Sequence, residues 1–276
     1  MTRVLIRGCG DVGSAVAHLL LRSGHEVVIH DVALPAAPRR RMAFVDAIFD
    51  GACVLDGVRA RRVDDVAELR GAGEDVLLTT AALADVLAAV EPGVLVDARM
   101  RKRARPESQR GLAPLTIGLG PNFVAGETTD LGIETQWGDD LGALVEHGPT
   151  RPLGGEPRAF EGHARGRFIY APVAGIMRTR AQIGQSVTAG EAVAAIGDVE
   201  LCAPLDGILR GLVHDGVPVQ AGAKVLEVDP RGDISKVVGI GPRPRRIAEG
   251  VLAAIESRAG CSCGRAPPEV VDESIP

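Results

Sequence analysis

Apolar residues along the first half of the chain alternate between two periods. Val4, Leu5 and Ile6 form a short run that predicts a strand over Arg3–Arg7. Val12, Ala15, Val16, Leu19 and Leu20 then recur at helical spacing until Gly24 stops the helix. Glu26–His30, Val76–Thr79, Val94–Ala98 and Leu115–Leu119 repeat the strand pattern. Ala82–Val90 is helical and ends at Glu91-Pro92-Gly93. This alternation predicts an α/β protein with a parallel sheet covered by helices. In "ACVLDGVRARRV", which starts at Ala52, Asp56-Gly57 separates two alternating arms and predicts a small hairpin.

After residue 120 the pattern changes to short Gly-, Val- and Thr-rich runs with turn signals, as expected for β structure. "APVAGIMRTRAQIGQSVTAGEAV" from Ala171 repeats as "APLDGILRGLVHDGVPVQAGAKV" from Ala203. Pro172 aligns with Pro204, Gly175 with Gly207, Arg178 with Arg210, Gly184 with Gly216, Val187 with Val219 and Gly190 with Gly222. The doubled segment resembles the two interleaved halves of a biotinyl or lipoyl carrier, a flattened barrel-sandwich. The junction "AIGDVELCAPLDG" has no lysine to accept a tethered cofactor. Pro244 suits a first helical turn, and Ile247, Val251, Leu252 and Ile255 share one helix face. The expected organisation is a Rossmann-like nucleotide-binding domain over 1–120 and a carrier-like barrel-sandwich domain over 121–235. A C-terminal helix segment over 236–258 and a disordered tail over 259–276 follow.

The first strand leads into Gly8-Cys9-Gly10-Asp11-Val12-Gly13, a G-x-G-x-x-G in its strand-to-helix context. Gly8 is expected to make the tight turn, Gly10 to admit a phosphate to the backbone, and Gly13 to let helix and strand pack closely. The helix N-terminus favours an anion. Asp31, at the end of the second strand, stands where an acidic residue meets ribose hydroxyls. Asp11 inside the turn caps the helix or adds negative charge beside the anion. Asp97 and Arg99 lie at a later strand end, and Arg99 and Lys102 of "DARMRKRARPESQR" are candidate anion partners. The competing readings are a scaffold loop that holds nothing and a solvated charge run. "VDPR", Asp229–Arg231, reads equally as structural punctuation or as an anion contact.

Composition narrows the function classes. The 276 residues are 46% hydrophobic and 24% charged, with one Trp, one Tyr and five Phe, so the core is aliphatic and stacking on nucleic-acid bases is not expected. A net charge of -5 offers no general attraction to polyanions. No apolar run approaches the roughly 18 residues of a membrane span, and five scattered cysteines point to a reducing cytoplasm. The histidines at 18, 25, 30, 147, 163 and 214 form no constellation. Glu134, Asp139 and Asp140 read as structural, so no catalytic acid and base emerge. Cys9 sits where a helix N-terminus favours thiolate, or simply fills a turn. Cys261-Ser262-Cys263 lacks partners for zinc, and no metal site is expected.

Taken together, "IRGCGDVGSAVAHLL", "RRRMAFVDAIFDGACVLDGV", "VDARMRK", "GLGPNFVAGETTDLGIET", "LGALVEHG", "LRGLVHDGVPVQAGAKVLEVDPR" and "IAEGVLAAI" resemble the accessory proteins of the selenium-dependent molybdenum hydroxylase system. That resemblance implies a Rossmann-like half joined to a barrel-sandwich. It also implies a cytoplasmic role in molybdenum hydroxylase maturation, with a client hydroxylase or other maturation proteins as partners. The cofactor itself is left open, with a molybdopterin dinucleotide as the candidate that fits this resemblance and NAD as the other candidate. No nucleic-acid or membrane partner is implied, and a homo-oligomer is left open. The alternatives are an NAD(P)-dependent oxidoreductase and an interaction adaptor with an empty loop.

Overall fold

The computed structural model of the chain describes residues 1–71, 73–101, 106–154 and 157–261. Its largest element is a nine-stranded sheet. In chain order it begins with β1 (Arg3–Arg7), α1 (Asp11–Arg22), β2 (Glu26–His30), a short helix α2 (Asp46–Asp50), β3 (Ala52–Leu55), β4 (Val58–Arg62) and β5 (Val76–Thr79). It continues with α3 (Leu83–Val90), β6 (Val94–Asp97), β7 (Leu115–Leu119), β8 (Val124–Ala125), β9 (Leu131–Ile133), β10 (Leu144–Val145) and β11 (Gly148–Pro149). The strand order is β10-β9-β7-β6-β1-β2-β5-β4-β3. Neighbours from β4 to β9 are parallel, whereas β3 and β10 join the edges antiparallel.

Alternation within each strand explains why the sheet is covered on both faces. Val4 and Ile6 pack with Val12, Ala15 and Val16 of α1 on one side. On the other, Leu5 packs with Val86 and Val90 of α3. A last helix, α4 (Pro242–Cys261), returns to lie against α1 through Ile247, Val251 and Ile255. The hairpin joining β3 and β4 turns on Asp56 and Gly57, whose φ angles of 45° and 79° are those a two-residue hairpin requires.

The repeat builds two further four-stranded sheets. Their strands are β12 (Phe168–Tyr170), β13 (Gly175–Thr179), β14 (Ser186–Val187), β15 (Ala192–Ile196), β16 (Val199–Cys202), β17 (Gly207–Leu212), β18 (Pro218–Val219) and β19 (Lys224–Asp229). One sheet runs β12-β19-β17-β14 and the other β16-β15-β13-β18. Strands of the two copies interleave, since β13 pairs with β18 and β14 with β17. Between the sheets lies an aliphatic core that includes Met177, Val193, Leu209 and Leu226.

The expected arrangement of a Rossmann-like parallel-sheet domain followed by a biotinyl/lipoyl-type module is therefore corrected. The chain is an α/β fold around a large mixed sheet, and its strands come from both sides of residue 120, because β9 and β10 extend it. Nor do the repeat sheets stand apart as a carrier does. The segment between β2 and β3 ties them down: the Leu212 N–H donates to the Pro38 carbonyl at 2.8 Å, Arg40 Nε to the Leu212 carbonyl at 2.9 Å, and the Phe49 ring stacks on His214 at 3.9 Å. The division at 120, 235 and 258 remains a proposal. Among the described residues no helix is long and apolar enough to cross a membrane. α4 runs to Cys261, and the expected tail from 262 onward, with Cys263, lies outside the described residues.

Candidate functional site

The parallel strands of the large sheet all end on one edge, where the turn after β1 meets the start of α1. Gly8 takes φ +108°, and a Cβ there would lie 3.0 Å from the Arg99 amide nitrogen. At Gly13 a Cβ would lie 2.0 Å from the Gly8 carbonyl oxygen, so the helix reaches the turn only because that residue is glycine. Gly10 differs from both. Its φ is -66°, and a Cβ built on it meets nothing within 4 Å. The middle glycine thus faces open space, and as N-cap it brings no side chain to the first-turn N–H groups of α1.

The predicted acids have local partners. Asp31 accepts the Cys9 N–H at 2.7 Å through one oxygen and the Val32 N–H at 2.7 Å through the other, so it braces the turn. Cys9 is fully buried, and burial together with Asp31 pushes its thiol well up, opposite to the thiolate expectation. Asp97, 1% exposed, is gripped by Arg99, whose Nε donates at 3.0 Å. Arg99 also reaches Glu107 at 2.7 Å. Arg7 donates to Glu107 at 3.2 Å and to Gln109 at 2.6 Å, and Arg101 contacts Glu107 as well. Burial alone would raise the Glu107 carboxyl, but the hydrogen bonds from Arg101 and Arg99 hold it below the carboxylate range. Lys102 lies outside the described residues. Gly8, Gly10, Asp11, Gly13 and Asp31 therefore converge, and Asp97 and Arg99 adjoin them through Gly8, but Arg99 is already matched by carboxylates.

On the other side of the α1 start lies a charge cluster that sequence reasoning missed. Asp11 accepts from Arg39 Nη1 at 2.8 Å. The same guanidinium grips Glu227 of β19, with Nε at 2.9 Å and Nη2 at 3.2 Å. Glu227 is fully buried and also accepts from Lys224 Nζ at 2.9 Å and from Arg167, with Arg210 Nε 3.8 Å away. Asp229 holds Arg231 at 2.8 Å and Arg210 at 3.2 Å. The Phe160 ring lies 3.9 Å from the Arg231 guanidinium carbon and 4.4 Å from that of Arg167. Arg243, at the start of α4, donates to the Thr135 carbonyl at 2.8 Å and acts electrostatically on Asp11.

Six cations thus meet Asp11, Glu227 and Asp229, with Glu134 also acting on Arg243 and Asp233 and Glu161 on Arg231. Burial opposes charge throughout, yet the ion pairs win for Asp11, Glu227 and Asp229, whose carboxyls are held below their ordinary values, and for Arg39, which is held above its own. Burial and the adjacent Arg39 bring Lys224 down to about 8. The Nε atoms of Arg167 and Arg210 are buried without a hydrogen-bond partner. Arg39 and Lys224 keep 24% and 27% of their side chains open, so the cluster reaches solvent. The signal was present in "KVLEVD", an acid flanked by apolar residues in a strand buried on both faces, and in the Arg39-Arg40-Arg41 run. No group of three or more His, Cys, Asp or Glu side chains able to hold a metal ion occurs among the described residues.

No protein-family model matches the chain. It is 37% identical over 256 residues to the uncharacterized protein YqeB of Escherichia coli (strain K12), covering 91% of this chain and 47% of that protein. The chain therefore spans about half the length of the curated relative it matches. Similar solved structures include the product-bound ectoine utilization protein EutE (DoeB) from Ruegeria pomeroyi, at 11% identity over 83% of this chain and 85% of that one, TM-score 0.25. Another is a succinylglutamate desuccinylase/aspartoacylase from Rhodobacter sphaeroides, at 18% identity over 82% and 85%, TM-score 0.25. These findings overturn the resemblance drawn from the sequence segments. The proteins found are described as an uncharacterized protein, an ectoine utilization protein and succinylglutamate desuccinylase or aspartoacylase proteins, and none is described as a molybdenum hydroxylase accessory protein. The selenium-dependent maturation role is withdrawn with it, and so are the nicotinamide oxidoreductase and empty-loop adaptor alternatives. Likeness at this TM-score assigns no activity to this chain.

Proposed function

We propose that the chain binds a small anionic ligand of the phosphate-ester class in the recess at the start of α1. The observation that carries this reading is the convergence of Arg39, Arg243 and Lys224 on Asp11 at the start of α1, next to Gly10, the one glycine of the turn that faces open space. An anion seated there meets first-turn N–H groups of α1 and the guanidinium group of Arg243, while Arg39, already held by Asp11 and Glu227, adds its charge without a direct bond. It also relieves the repulsion that Arg39 exerts on Lys224 and Arg243. Asp11 does not oppose such a ligand, because its charge is already matched by Arg39.

Binding only to the native state raises the unfolding midpoint. At a ligand concentration 100 times Kd the gain is about 2.7 kcal/mol, or roughly 5–10 °C for a chain of this size. Thermal unfolding with inorganic phosphate and with pyrophosphate tests the reading, and Gly10→Ala is the decisive variant. Alanine is compatible with φ -66° and meets no protein atom, yet its methyl group enters the space reserved for the ligand. The variant is expected to fold normally and to lose the anion-dependent rise. An unchanged rise in Gly10→Ala, or none in the parent protein, overturns the proposal.

A further inference from the structure

The chain carries 28 arginines and only three lysines, at 102, 224 and 236. One of those three stands among the guanidinium groups of Arg39, Arg167 and Arg210. Lys224 opens β19 with its Nζ 2.9 Å from Glu227 Oε2 and 4.4 Å from the centre of the Phe168 ring. Asp11 from α1, Arg39 from the segment after β2 and Arg167 from the turn before β12 complete its charged surroundings, with Arg210 of β17 behind Glu227. If the position served only to supply positive charge, arginine would serve it as it does at the other five cations. A guanidinium never gives up its proton in a folded protein, whereas an amine can, and only an amine then offers a lone pair.

We propose that Lys224 is a nucleophilic amine that forms an imine with an aldehyde or ketone group of the anionic ligand held in the recess. This inference rests on the anion-binding reading above and adds the second half of the ligand, a carbonyl beside the anionic group. The Nζ lone pair adds to the carbonyl carbon to give a carbinolamine. The carbonyl oxygen then leaves as water with the two protons of the amine as the C=N bond closes, so no oxidant or reductant is needed. The imine nitrogen takes a proton from solvent, Glu227, ionised and already accepting from Nζ, stabilises the resulting positive charge, and Arg243 holds the anionic group. The physical basis for reactivity is the one that activates amines elsewhere, desolvation next to another cation. With Lys224 brought down to about 8, roughly a tenth of its amines are neutral at pH 7, against well under a hundredth for an exposed lysine.

Pyridoxal 5′-phosphate, an aldehyde that carries a phosphate, is the probe. The full chain is incubated with it at pH 7 and reduced with sodium borohydride, and the labelled peptides are identified by mass spectrometry. Lys224 is expected to take at least about tenfold more label than Lys236. Inorganic phosphate should protect it, and labelling should climb as pH rises through about 8. Lys224→Arg should keep the phosphate-dependent thermal rise and lose the label; if that variant does not fold, phosphate protection in the parent chain decides alone. Retention of the probe in competition with phosphate but without label on Lys224 overturns the imine and leaves the anion site standing. Even labelling of all amines, insensitive to phosphate, overturns it as ordinary surface chemistry. Absence of both probe and phosphate binding removes both readings together.

Discussion

Glu227 shows how much one side chain sets the character of this region. It is fully buried and held by Arg39, Arg167 and Lys224, so removing its charge leaves buried cations without a counter-ion while keeping its volume. Breaking a buried pair from one side costs about 3–5 kcal/mol, because the remaining charge loses both water and partner. Glu227→Gln is therefore expected to lower unfolding free energy by that order in urea titration; a loss below about 1 kcal/mol would show that the cations rearrange freely. Acid should act through the same group and through Asp11 and Asp229. Each has a folded pKa below its ordinary value, near 4.5 for the glutamate and 3.8 for the aspartates, so the unfolded chain binds more protons as pH falls through that range. Their contribution is complete above about pH 5 and is lost progressively below it. Urea midpoints measured from pH 6 to pH 3 should fall, with a shallower slope in Glu227→Gln.

Glycine contacts decide how the helices approach their neighbours, and they separate residues that look alike in sequence. In α1, Gly13 lies against the Gly8 carbonyl, and in α4 a Cβ at Gly250 would lie 2.1 Å from the Gly142 carbonyl oxygen. Backbone cannot yield as a flexible side chain can, so Gly13→Ala and Gly250→Ala should each cost about 1–3 kcal/mol or more by overpacking. Gly10→Ala should stay within about 0.5 kcal/mol of the parent chain. Parallel denaturation curves check the ranking, and an equal cost for Gly10 and Gly13 would contradict the geometry. At this scale much is legible in the amino-acid sequence itself. The strands at Arg3–Arg7, Glu26–His30, Val76–Thr79 and Leu115–Leu119 and the hairpin at Asp56-Gly57 stand where hydrophobic period and turn chemistry predict. Two-residue strands such as β8 and β11 are not legible, because two residues establish no period. The three glycines of the turn stand out together, but the pattern does not say that Asp31 braces the Cys9 amide or that Asp97 is matched by Arg99. Those facts depend on rotamers and packing.

On the scale of the whole chain, the candidate site exists only because two distant parts of the sequence are held together. Arg39 touches Asp11 at the start of α1 and Glu227 in the second copy of the repeat, 188 positions away. Neither part alone has the full cation set, which is why local pattern could not reveal the recess and why reading the repeat as a free module failed. Phe49 packs into the core of the large sheet and into that of the repeat, and its ring also stacks on His214. Shared core residues couple the stability of the parts they join, so the large sheet and the repeat sheets should unfold in one transition. Amide hydrogen exchange resolved by peptide, followed through a urea series, reads both parts at once. Peptides spanning β1 and β6 should lose protection at the same urea concentration as those spanning β17 and β19. Phe49→Ala removes the half-buried ring that bridges both cores and should cost roughly 1–3 kcal/mol, less than a fully buried ring, and separate the two sets of midpoints. Separate midpoints already in the parent chain would mean that the interface is weak. The anion site would then form only when the parts dock, and phosphate, by stabilising the docked state, should bring the two transitions back together.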